Sequence, residues 1–214
     1  MQVKVLIKLL GVGAFIVLVL FFFIKKDKIV INRSDEELVD NFDLILTKGQ
    51  SVESKLVNLL NLSTREDYTH IGLVYKENNK VYILHSTPDG IKENCIRYDD
   101  FQTFIDLSTV CSYKILRHKN MTNGVQRLLK TELYKYKNSK IPFDFEFDNQ
   151  EHNCIYCSEL IYLMFVKVGL FNSQSFNLKN PISPNYFLSL NELISITERS
   201  STANECMLPN KAGH

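Results

Sequence analysis

The order of the periodic segments predicts an α+β domain, a small antiparallel sheet packed with helices, preceded by an N-terminal transmembrane helix. Three observations predict it. Residues 5–24 are apolar apart from Lys8, which is long enough to span a hydrocarbon core. Two apolar runs, His70–Tyr75 and Val81–His85, flank the polar Lys76-Glu77-Asn78-Asn79-Lys80, the pattern of a β-hairpin. Strand patterns lie mainly in the first half and the longest helical patterns follow, an order typical of α+β folds. The expected division is an anchor at 1–28 and one domain at 29–214.

The N-terminal segment shows no polar face, so it does not read as a core helix. It ends in Phe21-Phe22-Phe23-Ile24 followed by lysines, without the small residues of a cleavage site, which favours an uncleaved signal anchor over a removed signal peptide. The expected location is therefore membrane-anchored or exported, with the domain on the extracytoplasmic side. Five lysines against Asp27 give residues 1–28 a charge of +4, and the whole chain carries +1, so the remainder is about −3. A faintly acidic body has no electrostatic footprint for nucleic acid.

Within the domain, Ser34-Asp35-Glu36-Glu37 has capping-box spacing and opens a short helix. Phe42-Asp43-Leu44-Ile45-Leu46 reads as a buried strand, and Ser51–Leu62 has helical periodicity. After the hairpin come a short helix around Asp99–Asp106 and a strand around Tyr113–Leu116. Thr122–Lys137 is an amphipathic helix, and 141–148 is an aromatic and acidic loop. Tyr156–Val168 is a strongly apolar helix closed by Gly169. Ser183-Pro184 starts a last short helix.

Turn length decides where the hairpin histidines point. A two-residue turn at Glu77-Asn78 sets His70 directly opposite His85. A turn at Asn78-Asn79 shifts the register by two and leaves both on one face. Either way two imidazoles lie side by side, so that one can act as a base and the other orient it. A lone histidine is more often a locally bonded structural residue; a buried pair is costly unless each ring finds partners. His118 and His152 lack such surroundings and are expected at the surface, and His214 is terminal.

Five cysteines, Cys95, Cys111, Cys154, Cys157 and Cys206, leave at least one thiol unpaired. Cys157 starts the apolar helix, where the helix dipole and open backbone N–H groups favour thiolate and can hold an oxyanion. The bland alternative is a buried cysteine acting as a small hydrophobe. Cys154-x-x-Cys157 also permits a redox pair, or with His70 and His85 a zinc site. The motif stands late in the chain for the former, and the spacing is poor for the latter, so no metal and no cofactor are expected.

The blocks Asp43-Leu44-Ile45-Leu46, Tyr68-Thr69-His70-Ile71-Gly72-Leu73-Val74, Ile141-Pro142-Phe143-Asp144 with Phe147, and Tyr156-Cys157-Ser158-Glu159-Leu160, in this order, resemble the YiiX/YaeF-like branch of the NlpC-type cysteine peptidases. These are circularly permuted papain-like proteins related to the lecithin:retinol acyltransferase group. The resemblance covers about residues 40–190. It implies a cysteine peptidase or amidase-like hydrolase, or an acyltransferase, with Cys157 as nucleophile, His70 as base and His85 in the third, polar position, where many members have an acid. It also implies a small-molecule, peptide or lipid substrate, with Tyr68 and Tyr156 as pocket candidates. The rival expectation is a non-catalytic ligand-binding module on the same fold.

Overall fold

The computed structural model describes residues 29–49, 68–91, 94–107, 110–149, 153–173 and 181–200. The expected anchor at 1–28 and the expected helix at 51–62 lie outside the described residues. Among those described, no helix is long and apolar enough to cross a membrane.

The first helix, α1 (Arg33–Leu38), is capped two residues earlier than its sequence suggests. Asn32 accepts from the Asp35 N–H while Asp35 accepts from the Asn32 N–H, a reciprocal box. Asn32 and Asp35 thus take the place expected of Ser34 and Glu37. Strand β1 (Leu44–Gly49) follows, then β2 (His70–Glu77) and β3 (Lys80–Ile91). The turn between β2 and β3 is Asn78-Asn79, with φ of 52° and 61°, the two left-handed residues that a type I′ hairpin requires and asparagine tolerates. Strand β4 (Asn94–Asp100) runs directly into α2 (Phe101–Leu107), and β5 (Val110–His118) comes next. The expected helix therefore begins after Asp99, which belongs to a strand with no clear signal in the sequence.

Helix α3 (Asn123–Lys137) is capped by Thr122, and α4 (Cys157–Lys167) is followed by Gly169 at φ 78°. The expected last helix is a 3-10 helix (Pro184–Ser189), and an edge strand, β6 (Leu193–Ser200), closes the described chain. The six strands form one antiparallel sheet in the order β4-β3-β2-β1-β5-β6.

Strand alternation sends the sheet's apolar side chains into two layers. On one face Leu44, Leu46, Ile71, Leu73 and Leu84 pack with Leu160, Ile161, Met164 and Phe165 of α4 and Leu129 and Leu133 of α3. On the other face Ile45, Val74, Ile83 and Ile115 pack with Phe101, Phe104 and Ile105 of α2. Gly72 lies on this second face. A Cβ there would come within 2.4 Å of Ile83 Cγ2 and 3.3 Å of the Leu84 carbonyl, so the close approach of β2, β3 and Phe104 requires glycine.

His118 is buried, not at the surface: it projects from β5 onto Phe165 and Phe171 and accepts from the Asn120 N–H. Burial lowers its pKa.

Candidate active site

The hairpin register brings the two histidines together. Leu73 pairs with Leu84 and Tyr75 with Tyr82, so His70 and His85 are diagonal neighbours on one face, within side-chain reach. His70 Nε2 lies 3.0 Å from His85 Nδ1, and the rings meet edge to face with centroids 5.1 Å apart. Phe104 of α2 stacks against the His70 ring at 5.5 Å and presents a perpendicular ring to His85 at 4.9 Å. Both histidines are buried.

A third member was not foreseen. Asp99 stands opposite Ile83 on β4, diagonal to His85, and its Oδ2 lies 3.1 Å from His85 Nε2. Arg97 grips the same carboxylate with both arms of its guanidinium, Nε to Oδ2 at 2.8 Å and Nη2 to Oδ1 at 3.1 Å. Burial pushes the Asp99 carboxyl up, but the His85 and Arg97 bonds and charges outweigh it and hold the group below its ordinary value. The sequence signal for Asp99 was masked by Asp100, whose carboxylate accepts from Thr103 and marks the helix start. Two adjacent aspartates serve different elements.

The run Asp99–His85–His70 ends at His70 Nδ1, which is buried and has no hydrogen-bond partner among the described residues. Thr47, directly across on β1, leaves its hydroxyl equally without one.

Cys157 is the first residue of α4 and is buried. The chain before it is pinned. Ile155 donates its N–H to Pro142, and its carbonyl accepts from Ser86 Oγ at 2.8 Å and from the Cys95 thiol at 3.4 Å. Tyr156, the N-cap residue, makes no side-chain cap bond. Its hydroxyl donates to Asn149 and accepts from the Ile182 N–H, which holds the ring in the core. Glu159 accepts from the Tyr156 N–H, yet burial first, and then the Asp144 charge, push its carboxyl up to about 8. Beside Cys157 Sγ, the Ser158 hydroxyl lies at 3.8 Å.

Among the described residues no hydrogen bond joins Cys157 Sγ to either imidazole. The rings sit in the layer under α2, whereas Cys157 belongs to the cluster of α4 with Ile71 and Leu73. The structure thus unites His70 and His85, adds Asp99, and sets Cys157 at the start of a helix that packs on β2 and β3. Tyr68 is pinned by Asn185 to its backbone and by Glu198, which accepts from its hydroxyl at 2.7 Å.

Cys95, Cys154 and Cys157 form no disulfide, whereas Cys111 is disulfide-bonded. Burial pushes the Cys95 thiol up to about 11, which keeps it unreactive. Among the described residues no group of three or more His, Cys, Asp and Glu side chains is placed to hold a metal.

Comparison with known proteins gives a family and a fold. The family described as permuted papain-like amidase enzymes, YaeF/YiiX, matches residues 41–208. A crystal structure of the metalloprotein YiiX from Escherichia coli O157:H7 superposes with a TM-score of 0.59 at 19% identity, covering 75% of this chain and 98% of that one. No curated protein matches the sequence.

Proposed function

This chain belongs to the permuted papain-like amidase family of YaeF and YiiX, and on that premise we propose that it cleaves an amide or ester bond through a thioester at Cys157. His70 serves as base and His85 orients it. The substrate class is a cell-wall peptide or a lipid-linked acyl group, and the apolar run at 5–24 tethers the domain to the membrane where such substrates are confined.

The Cys157 thiol gives its proton to His70 Nδ1, and the thiolate attacks the substrate carbonyl carbon. Backbone N–H groups in the first turn of α4 receive the oxyanion. As the tetrahedral intermediate collapses, the leaving amine or alcohol takes the proton from His70. Water, deprotonated by the same nitrogen, then attacks the thioester, freeing the acid and the thiol. Proton transfer needs Sγ within hydrogen-bond reach of Nδ1, a distance that free enzymes often close only with substrate bound.

The observation that carries this reading is the buried lone nitrogen of His70, left without a partner at the end of a hydrogen-bonded run. Such an atom costs stability, and a base that accepts a proton in the reaction accounts for the cost. Replacing Cys157 by Ala tests the nucleophile: labelling by a thiol-directed acylating probe, read residue by residue by mass spectrometry, should vanish. Undiminished labelling would remove the assignment.

One observation favours the non-catalytic binding module as the second reading. Both imidazoles lie beneath Phe104, on the face of the sheet away from α4. In that case Cys157 reacts as an ordinary thiol at every pH.

A further inference from the structure

We propose that Asp99 is a positioning residue which, acting through His85, fixes the tautomer of His70 and so makes Nδ1 its proton-accepting nitrogen. The inference deepens the proposed function and rests on it for the role of that nitrogen as a base.

A carboxylate only accepts, and a guanidinium only donates. Asp99 already accepts from Arg97 at both oxygens, so it is ionised and its contact with His85 requires a proton on His85 Nε2. A neutral imidazole with a proton on Nε2 has a bare Nδ1. That nitrogen lies 3.0 Å from His70 Nε2, and the contact is a hydrogen bond only when His70 Nε2 carries the proton. His70 Nδ1 is then bare by necessity. The atom that is left with a lone pair at the end of this run is the same one that has no partner among the described residues.

With both rings neutral, any other placement of protons breaks a bond. A proton on His85 Nδ1 instead of Nε2 aims a lone pair at the Asp99 carboxylate, which is repulsive. The arrangement also answers the departure at the third position. His85 alone is a weak substitute for an acid, but His85 backed by an ionised carboxylate is itself held in one tautomer and so orients His70, as the carboxylate of a triad orients its histidine. When His70 takes up a proton, the positive ring is stabilised by a carboxylate one imidazole away.

The test is nitrogen NMR on the full chain labelled at its histidines, with bare and protonated ring nitrogens distinguished by their shifts. In the wild type His70 should show a bare Nδ1 and a protonated Nε2; the reverse tautomer overturns the proposal without any substitution. Asp99→Leu removes the acceptor, and His70 Nδ1 should gain a proton in part of the population. Asp99→Asn keeps an oxygen where both His85 Nε2 and Arg97 Nε donate, and should retain the wild-type tautomer. Asp99→Leu with folded spectra and unchanged His70 shifts overturns it as well.

Alkylation of Cys157 near pH 6 is read beside the spectra, and Asp99→Leu should lower its rate in proportion to the fraction of His70 that gains a proton on Nδ1. A shifted tautomer with unchanged alkylation would uphold the Asp99 assignment and sink the pairing of His70 with Cys157.

Discussion

Glu159 is the place where burial and charge are most plainly in conflict, and replacing it by glutamine makes that conflict measurable. The residue is only 1% exposed. It sits in the first turn of α4, accepts from the Tyr156 N–H, and feels the carboxylates of Asp144 and Asp148. Burial is the main reason that its carboxyl is pushed up to about 8 from an ordinary 4.5. In the unfolded chain Glu159 ionises at its ordinary pKa; in the folded chain it holds its proton to far higher pH. Its contribution is therefore harmless below about pH 4.5 and becomes a growing penalty as pH rises toward 8, at about 1.4 kcal/mol per pH unit. At pH 7 the penalty reaches about 3 kcal/mol. Glutamine keeps an oxygen for the Tyr156 N–H and cannot ionise. Urea unfolding of wild type and Glu159→Gln at pH 4.5, 6, 7 and 8 should give nearly equal stabilities at the lowest pH. The variant should lead by about 3 kcal/mol at pH 7. A difference that stays constant with pH, or a variant that loses stability as pH rises, would show that ionisation of Glu159 does not destabilise the fold.

Two further outcomes follow from packing and from a buried ion pair. Gly72→Ala drives a methyl group into Ile83 Cγ2 and toward Phe104; it should cost about 1–3 kcal/mol in urea unfolding and shift the His70 and His85 ring signals that Phe104 shields. Arg117 holds buried Asp43 with two bonds of 2.8 Å, so Arg117→Ala should cost about 1–3 kcal/mol, since the carboxylate keeps only the Asp40 N–H. Adding Asp43→Asn should recover a large part of the loss, measured as a double-mutant cycle.

The hairpin was legible because its determinants are local. Asn78 and Asn79 are residues that accept positive φ, and once they set the turn, strand periodicity places His70 and His85 on one face. Helix α4 was equally legible, since its run from Leu160 to Phe165 is nearly all apolar and Gly169 ends it. Asp99 was not, for a physical reason: an Asp-Asp pair before Phe101 reads as a helix cap, and only the β3–β4 register shows that one of the two faces His85. Strand β6 escaped because it is a half-exposed edge, Leu193 to Ser200, whose alternation is faint. The cap of α1 was misplaced since Ser34 and Glu37 have the right spacing on paper, while Asn32 and Asp35 have the right backbone. His118 shows the limit of reading single residues: nothing near it in the chain announces Phe165 and Phe171, which only the fold brings to its ring. The face on which each layer packs was also beyond the sequence. Alternation predicted that the histidines share a side, but not that α2 would cover it while α4 covers the other.

The pH dependence of Cys157 alkylation decides whether Cys157 and His70 work as a pair. With iodoacetamide and residue-resolved mass spectrometry, a thiol that shares its proton with His70 reacts rapidly well below pH 8.5, and His70→Ala moves the midpoint up to that of a free thiol. A wild-type midpoint already at or above 8.5, unmoved by His70→Ala, would mean that the two side chains share no proton.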